Sequence, residues 1–333
     1  MFEVEYRSQI KWRINNIIKI IGICNVKKNK GRAITFRNLL QQSIVIQIAI
    51  FLGRVLSRQT GLKISSWIGT ILGRRKKSSM VRAIRANQFV IKDQSLSQED
   101  LAELPKIVFR SASNCIFDYF YFLSRPDRLQ EVVDFSPKAR IAFDRIEKNQ
   151  PSVFVCPHLS NFDLMGYALA LNNIEVQVLS YPKPVSSYKM QNQLRESLGN
   201  IVTPMTLSAF RQARKRLQNG GSILTGLDRP LPEDQQNKYQ PTFFGHEANL
   251  PVTYVRMAME AEAPVIVVAA TSQPGGRYIL EATDPIWMEP QEELETEIIH
   301  NANRVLKEAE EIILKYSNQW AMFYPIWPKF MGV

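Results

Sequence analysis

Short apolar runs alternate with helix-patterned stretches along the second half of the chain. Apolar runs bounded by turn residues predict buried strands at Ser152–Cys156, Glu175–Leu179, Ser222–Leu227 and Pro264–Ala270. The stretches between them have helical spacing and predict helices at Phe162–Leu171, Tyr188–Leu198, Leu207–Gln218 and Thr253–Glu262. Tyr278–Glu281 is expected to pair with the last of these strands across Pro274-Gly275-Gly276. This alternation predicts an α/β fold, with a largely parallel mixed sheet flanked by helices.

The first half of the chain is predicted to be mainly helical. Ser97 is a good N-cap with Asp100 three residues later, and apolar periodicity extends this helix to about Phe122. A second long amphipathic helix is predicted near the other end, at Glu292–Tyr316. A change in composition near residues 60–63 divides the chain into a basic, apolar helical segment, residues 1–62, and a main domain, residues 63–333.

The charge is unevenly distributed. The net charge is +11, from 42 Lys and Arg and 31 Asp and Glu. Residues 1–92 contain 19 Lys and Arg against two acids, a net +17, so the rest of the chain is net −6. This asymmetry indicates an anionic partner for the first quarter of the chain, either an anionic membrane surface or a nucleic acid.

Two apolar stretches in this basic region, Ile14–Cys24 and Ile44–Leu56, favour the membrane. Apolar helices edged by cations suit a position on anionic lipid. The longest uncharged run, Asn38–Gly53, is too short and too polar to span a bilayer, which needs about 20 apolar residues. The acidic start and the lack of a following apolar stretch with a cleavage site argue against a signal peptide. The expected location is therefore peripheral. One alternative is that these helices pack on the domain and their basic residues face solvent. The other is a nucleic-acid-binding arm, which is less favoured because the region lacks interleaved exposed aromatic residues.

A histidine and an aspartate follow the predicted strand that ends at Cys156. His158 and Asp163 stand in His-Leu-Ser-Asn-Phe-Asp, which places the histidine at the carboxyl end of the strand and the aspartate in the next helix. Ligands bind to open α/β sheets at this edge. The carboxylate can accept a hydrogen bond from one imidazole nitrogen, while the other nitrogen takes a proton from an attacking hydroxyl. The spacing alone is also compatible with a purely structural pair.

The His158-x4-Asp163 block resembles the first motif of the glycerolipid and lysophospholipid acyltransferases. The sequence is most similar to the bacterial lipid A biosynthesis (lauroyl/myristoyl) acyltransferases and the related phosphatidylinositol mannoside acyltransferases. Residues 193–199, Gln-Leu-Arg-Glu-Ser-Leu-Gly, resemble the second motif of the family. Residues 220–230, with Asp228-Arg229-Pro230, and then Phe243-Phe244-Gly245 resemble its third motif, although the Phe-Pro-Glu-Gly-Thr block of the glycerolipid branch is absent. The lead-in Leu72-Gly73-Arg74-Arg75-Lys76 and the helix ending Phe117-Asp118-Tyr119 are also similar, so the resemblance covers about residues 65–330.

The resemblance implies transfer of a fatty acyl chain from a thioester, on acyl carrier protein or coenzyme A, to a hydroxyl of a membrane lipid or glycolipid. It implies that His158 is the general base, oriented and charge-stabilised by Asp163, and that Arg195 holds an anionic group of a substrate. Asp228 and Arg229 are assigned to substrate binding, with a surface Asp-Arg pair as the alternative. No metal or organic cofactor is expected, and the cytoplasmic face of the inner membrane is the expected location.

The remaining candidate residues are weaker. The three cysteines lack metal-site spacing, and Cys156 is expected to be inert packing. His246 is expected in a turn and His300 on a solvated helix face. The aromatic tail from Trp320 to Phe330 suits either a membrane interface or packing beside the active site, and we favour packing. Two other functions stay open: a catalytically inactive membrane- or nucleic-acid-binding module, and a thioesterase that uses water as the acceptor.

Overall fold

The computed structural model describes residues 43–180, 186–198, 200–232, 235 and 238–333. The predicted apolar stretch Ile14–Cys24 lies outside the described residues. The helices are, in chain order, α1 (Ser43–Val55), α2 (Arg58–Gly73), α3 (Ser79–Ile91), α4 (Gln98–Leu123), α5 (Pro126–Val132), α6 (Pro137–Glu147), α7 (Phe162–Leu171), α8 (Ser186–Ser197), α9 (Leu207–Gln218), α10 (Thr253–Glu260) and α11 (Leu294–Lys315). The strands are β1 (Val133–Phe135), β2 (Val153–Cys156), β3 (Gln177–Ser180), β4 (Ile201–Pro204), β5 (Ile223–Gly226), β6 (Thr242–Phe243), β7 (His246–Glu247), β8 (Val265–Gln273) and β9 (Arg277–Ala282).

The main sheet has seven strands in the order β1-β9-β8-β2-β5-β3-β4. All neighbouring pairs in it are parallel except β8 and β9, which pair antiparallel across the Pro274–Gly276 turn. A separate antiparallel hairpin, β6–β7, lies outside this sheet. The predicted α/β class, with a largely parallel mixed sheet, is therefore confirmed.

The centre of the sheet is buried on both faces, which explains the continuous apolar runs. In β2, Val153 and Val155 pack into one hydrophobic cluster and Phe154 packs into another. The first cluster includes α9, α10, α11 and the buried Trp320 and Trp327. The second includes α7 and the C-terminal half of α4. A strand with helices on both faces needs apolar side chains at consecutive positions, because neither face contacts water.

Several elements were not predicted from the sequence. They include helices α3, α5 and α6, the short strands β1 and β4 at the two edges of the sheet, and the hairpin β6–β7. Strands of only two to four residues give too little alternation to detect. The other predicted elements that fall within the described residues are present, with ends shifted by a few residues at most.

Helix α2 is packed closely against α4 through small residues. Gly61, Ser65, Gly69 and Gly73 recur every four residues on its buried face. A Cβ added at Gly69 would lie 2.5 Å from the carbonyl oxygen of Phe109, so only hydrogen fits there. Small residues at this spacing let two helix backbones approach closely. Helix α2 runs through residues 62–63, where the sequence analysis divides the chain, and that division stays a prediction.

An ion pair ties α2 to the rest of the fold. Arg58 donates from Nε and Nη2 to the buried carboxylate of Asp118 on α4, at 2.9 and 2.7 Å. Its Nη2 also donates to the carbonyl oxygen of Gly276, in the turn between β8 and β9, at 2.6 Å. Tyr278 on β9 donates to the same Asp118 carboxylate at 2.7 Å. The described part of the basic segment is therefore held on the domain by specific polar contacts.

The outward surface of α1 and α2 is apolar, although both helices pack on the domain. Phe51 and Trp67 are 61% and 66% exposed. They belong to a larger set of exposed apolar side chains, which we call the α1–α2 apolar face: Ile48, Phe51, Val55, Ile64, Trp67 and Ile68. Among the described helices, none combines the length and the apolar character needed to cross a bilayer.

Candidate active site

The candidate site lies where the chain leaves neighbouring strands toward opposite faces of the sheet. After β2 the chain enters α7, which packs on the α4 side of the sheet. After the adjacent strand β5 it continues through the β6–β7 hairpin to α10, which packs on the α11 side. Connections that diverge in this way leave a crevice at the carboxyl ends of the two strands, where α/β proteins bind ligands.

Parallel pairing of β2 and β5 brings His158 beside Asp228. Cys156 is in register with Gly226, so the residues two positions beyond each strand end come together. His158 Nδ1 lies 2.6 Å from Asp228 Oδ1, and the His158 backbone N–H donates to Asp228 Oδ2 at 2.8 Å. With Nδ1–H donating to the carboxylate, the neutral imidazole has its lone pair on Nε2. This nitrogen has no hydrogen-bond partner among the described residues, and the His158 side chain is 31% exposed.

Asp228 is held rigidly in the interior of the protein. Its side chain is fully buried, and Trp320 Nε1 donates a third hydrogen bond to Oδ2 at 2.8 Å. The imidazole packs over Gly226, where an added Cβ would lie 3.4 Å from His158 Cε1, in ordinary van der Waals contact. These three hydrogen bonds replace the water that a buried carboxylate loses.

This geometry corrects the roles expected for the two aspartates. The family resemblance implies that Asp163 orients His158, but the carboxylate at Nδ1 is that of Asp228. The alternative that Asp228 and Arg229 form a surface pair is wrong for Asp228, which is fully buried. Arg229 instead stacks on Tyr324, with its guanidinium carbon 4.4 Å from the ring centroid, and donates to the phenol oxygen at 3.1 Å.

Asp163 forms an ion pair with Arg195 in the same pocket. Arg195 on α8 approaches Asp163 Oδ1 with Nε at 2.7 Å and with Nη2 at 2.6 Å, and both side chains are largely buried. Arg195 Nη1 also donates to the amide oxygen of Asn192 at 2.9 Å. The pair therefore brings together two predicted site residues, and Asp163 neutralises the cation that was expected to hold an anionic group.

A distant segment of the chain closes over the loop that carries His158. The Ala321 backbone N–H donates to the carbonyl oxygen of His158 at 2.9 Å, and that of Ser160 donates to the carbonyl oxygen of Gln319 at 3.0 Å. Ser160 has a φ of 48°, a left-handed conformation that is costly outside glycine, and its hydroxyl lies 2.6 Å from that of Ser272. We call residues 317–327 the C-terminal strap. It confirms that the aromatic tail packs beside the site.

The three remaining candidate residues from the sequence are Cys156, His246 and His300. Burial, and then the negative charge of nearby Asp228, raises the pKa of the Cys156 thiol to about 12, so it stays protonated at neutral pH. Contrary to the expectation from the sequence, His246 is not in the turn but is the first residue of β7, where it packs against Trp327 and Phe330. His300 on α11 is partly exposed and lies 2.8 Å from Glu289 Oε2.

His158, Asp163 and Arg195 line one pocket with a cavity volume of about 110 Å³. A second, smaller cavity of about 60 Å³ adjoins it and shares Cys156, Phe162, Gly166, Val178, Asn200 and Leu224 with it. The rest of the second cavity is lined by apolar side chains of α6, α7 and the sheet: Phe143, Phe154, Met165, Leu169, Val176, Val268, Ala270 and Leu280. The polar pocket that contains His158 therefore adjoins an apolar chamber.

An oriented histidine beside such a chamber, on the carboxyl edge of an α/β sheet, is typical of enzymes that transfer or cleave acyl groups by general-base catalysis. Comparison with protein families agrees with this class. The bacterial lipid A biosynthesis acyltransferase family matches residues 27–329, and the chain belongs to that family. It is therefore an O-acyltransferase of lipid biosynthesis, as the resemblance in the sequence implied. No curated protein matches the chain.

Proposed function

We propose that the enzyme transfers a fatty acyl chain from an acyl thioester, carried on acyl carrier protein or coenzyme A, to a hydroxyl of a membrane lipid or glycolipid. The observation that carries this proposal is the contact between His158 Nδ1 and the buried Asp228 carboxylate, at a pocket that adjoins an apolar chamber. The pair supplies a base for an alcohol, and the chamber suits a hydrocarbon chain.

The chemistry needs one base that later acts as an acid. His158 Nε2 takes the proton of the acceptor hydroxyl as its oxygen attacks the thioester carbonyl carbon. Asp228 stabilises the imidazolium that forms, because its carboxylate accepts the Nδ1–H hydrogen bond. When the carbon–sulfur bond breaks, the imidazolium returns the proton to the thiolate, and an ester and a free thiol leave. These steps use only side chains of this chain and the two substrates, so the proposal includes no metal or organic cofactor.

Asp163 and Arg195 line the same pocket as His158, and this proposal assigns them to substrate binding. The Arg195 guanidinium, which Asp163 orients, is proposed to contact a phosphate, a thioester carbonyl or the saccharide of an acceptor when substrate binds. The Asp163 carboxylate fixes the direction of the guanidinium plane. Arg229, stacked on Tyr324, is proposed as a substrate contact farther out, next to Asp228 in the chain.

The proposal also places the enzyme on a membrane, as a peripheral protein on the cytoplasmic face of the inner membrane. The α1–α2 apolar face supports this, since Trp67 and Phe51 project outward from helices that also bear Arg54 and Lys63. Aromatic and basic side chains together suit an anionic lipid surface. An acidic acyl carrier protein is a suitable donor partner for a basic enzyme, whereas nucleic acid is not an expected partner.

Product analysis tests the function. The purified protein is incubated with an acyl thioester and a lipid extract from cells lacking the gene. The lipids before and after incubation are compared by mass spectrometry. We expect a lipid that has gained one acyl chain. His158→Ala should lower the rate by about 10²–10⁴-fold, the usual contribution of a general base. His300→Ala, a change at the partly exposed α11 histidine, should not. Release of free fatty acid without an acylated lipid would instead identify a thioesterase, and no product of either kind would identify a binding module.

A further inference from the structure

Gly166 differs from the other helical glycines of the described chain. In α1 and α2, Gly53, Gly61, Gly69 and Gly73 lie against backbone or ring atoms of α4, so a side chain at those positions would collide with them. Gly166 lies in the middle of α7, and a Cβ added there would meet only Asn200 Oδ1, at 4.0 Å. Packing therefore does not require glycine at position 166.

A glycine in a helix interior destabilises the helix by about 1 kcal/mol relative to alanine. Gly166 does not have the positive φ that would explain a glycine. What the missing side chain provides is empty space, and that space is part of both cavities. Gly166 lines the pocket that contains His158 and also lines the apolar chamber. It lies one helical turn from Asp163, where the polar lining gives way to the apolar one.

From this geometry we infer that Gly166 is the specificity-determining residue that admits the acyl chain from the reaction centre into the apolar chamber and sets how long that chain can be. This inference rests on the proposed function, because it assumes that the chamber receives the hydrocarbon of the thioester donor. Phe162 and Met165, which precede Gly166 on the same helix, also line the chamber. A larger side chain at 166 fills the space that the two cavities share there, which we call the threshold, while the catalytic contacts of His158 stay in place.

Substitutions at position 166 distinguish an effect of side-chain volume on the chain-length preference from an effect on the stability of α7. Gly166→Ala adds one methyl group and should raise the melting temperature, because alanine favours the helix. Gly166→Leu projects an isobutyl group into the shared space. It should lower kcat/KM for a palmitoyl or myristoyl thioester by about tenfold or more relative to an octanoyl thioester, the range that one misfitting group in an apolar pocket produces. Ala170→Leu is the matched control, because position 170 is half-buried one turn later in α7 and lines neither cavity.

The experiment has two readouts, acyl transfer and binding of saturated fatty acids measured by displacement of a fluorescent fatty acid. Binding is measured in the His158→Ala background, so that it does not depend on catalysis. We expect the wild-type site to bind palmitate more tightly than octanoate, and Gly166→Leu to reverse this order in both readouts. The inference is overturned if Gly166→Leu folds and its chain-length preference in transfer and in binding equals that of the wild type. If Gly166→Leu does not fold, Gly166→Ala decides the matter, since it must shift the preference in the same direction by a smaller amount.

Failure of the proposed function gives a different result. If the wild type transfers no acyl chain from any thioester, but Gly166→Leu still changes which fatty acid binds, the threshold is supported and the transferase proposal fails. If transfer occurs with an unchanged chain preference, the transferase proposal stands and the role of Gly166 fails.

Discussion

At the scale of single residues, Asp228 determines which imidazole nitrogen of His158 can act as a base. Its two oxygens have different partners, because Oδ1 faces Nδ1 while Oδ2 accepts from the His158 backbone and from Trp320. In Asp228→Asn, the amide oxygen satisfies the two donors at Oδ2, and the amide nitrogen then faces Nδ1. The imidazole must present a lone pair at Nδ1 and a proton at Nε2, which abolishes the base.

We therefore expect Asp228→Asn to lower kcat by about 10³–10⁴-fold with little change in fold, as happens when a histidine is held in the wrong tautomer. Steady-state kinetics and a thermal melt of the same sample measure this. Asp284→Asn is the matched control, because Asp284 is a surface carboxylate paired with Lys138. An Asp228→Asn enzyme with more than about a tenth of wild-type turnover would refute the orienting role.

Asp163 and Arg195 should act as a unit because each neutralises the other. Replacing one leaves the other as a largely uncompensated charge in the pocket, and breaking such a pair is costly. We expect Asp163→Asn and Arg195→Ala each to lower kcat/KM, and the double variant to lose no more than the worse single variant. Arg195→Lys should rescue only in part, since an ammonium cannot reproduce the two contacts of a guanidinium.

A double-mutant cycle on kcat/KM measures this coupling. Arg214→Ala and Glu260→Gln, at an exposed pair between α9 and α10, provide the control cycle. Additive losses at Asp163 and Arg195 would show that the two residues contribute independently.

At the scale of secondary structure elements, most of the fold could be predicted from the sequence. The bounds of α7 and α9 agree with the prediction at both ends, and each helix begins at a side chain that caps it, Asn161 and Thr206. The order of the strands could not be predicted in this way. β5 lies between β2 and β3, although it follows β4 in the chain. The contact between His158 and Asp228 spans 70 residues and depends on this order, so the sequence spacing led to the nearer aspartate instead.

The packing of α2 on α4 gives a prediction about stability. Gly69→Ala places a methyl group 2.5 Å from the Phe109 carbonyl oxygen. The clash is with the backbone of α4, which cannot move aside as a flexible side chain could. The gain in helix propensity, about 1 kcal/mol, is outweighed by overpacking. We expect a net loss of about 1–3 kcal/mol in the free energy of unfolding, measured by denaturant titration. The same change at Gly166 should be stabilising, and Lys63→Ala, at an exposed position of α2, should be nearly neutral. Equal effects at positions 69 and 166 would contradict the close packing described here.

At the scale of the whole molecule, the α1–α2 apolar face should determine how the enzyme binds lipid. Each basic side chain near an anionic surface contributes about 1 kcal/mol, screened over about 8–10 Å at physiological salt, whereas buried apolar side chains resist salt. We expect the protein to float with anionic liposomes and to be removed only in part by high salt. Trp67→Asp and Phe51→Asp should weaken flotation and lower activity on bilayer lipid more than on detergent-solubilised lipid.

Trp287→Asp is the matched control, because Trp287 is similarly exposed but lies outside the α1–α2 apolar face. If Trp67→Asp and Trp287→Asp reduce flotation equally, the face is not the membrane contact. Flotation that a DNA competitor abolishes would indicate a nucleic-acid-binding arm instead.

The C-terminal strap also bears on the order of events during synthesis. Translation adds about 5–20 residues per second, so α1 and α2 leave the ribosome well before the strap exists. His158 then emerges without the Ala321 contact and without the tryptophan that fixes its carboxylate partner. The nascent chain therefore presents the α1–α2 apolar face while the contacts of His158 are still incomplete. Under the proposed function, an unfinished chain could reach the bilayer before it is able to consume acyl thioester there.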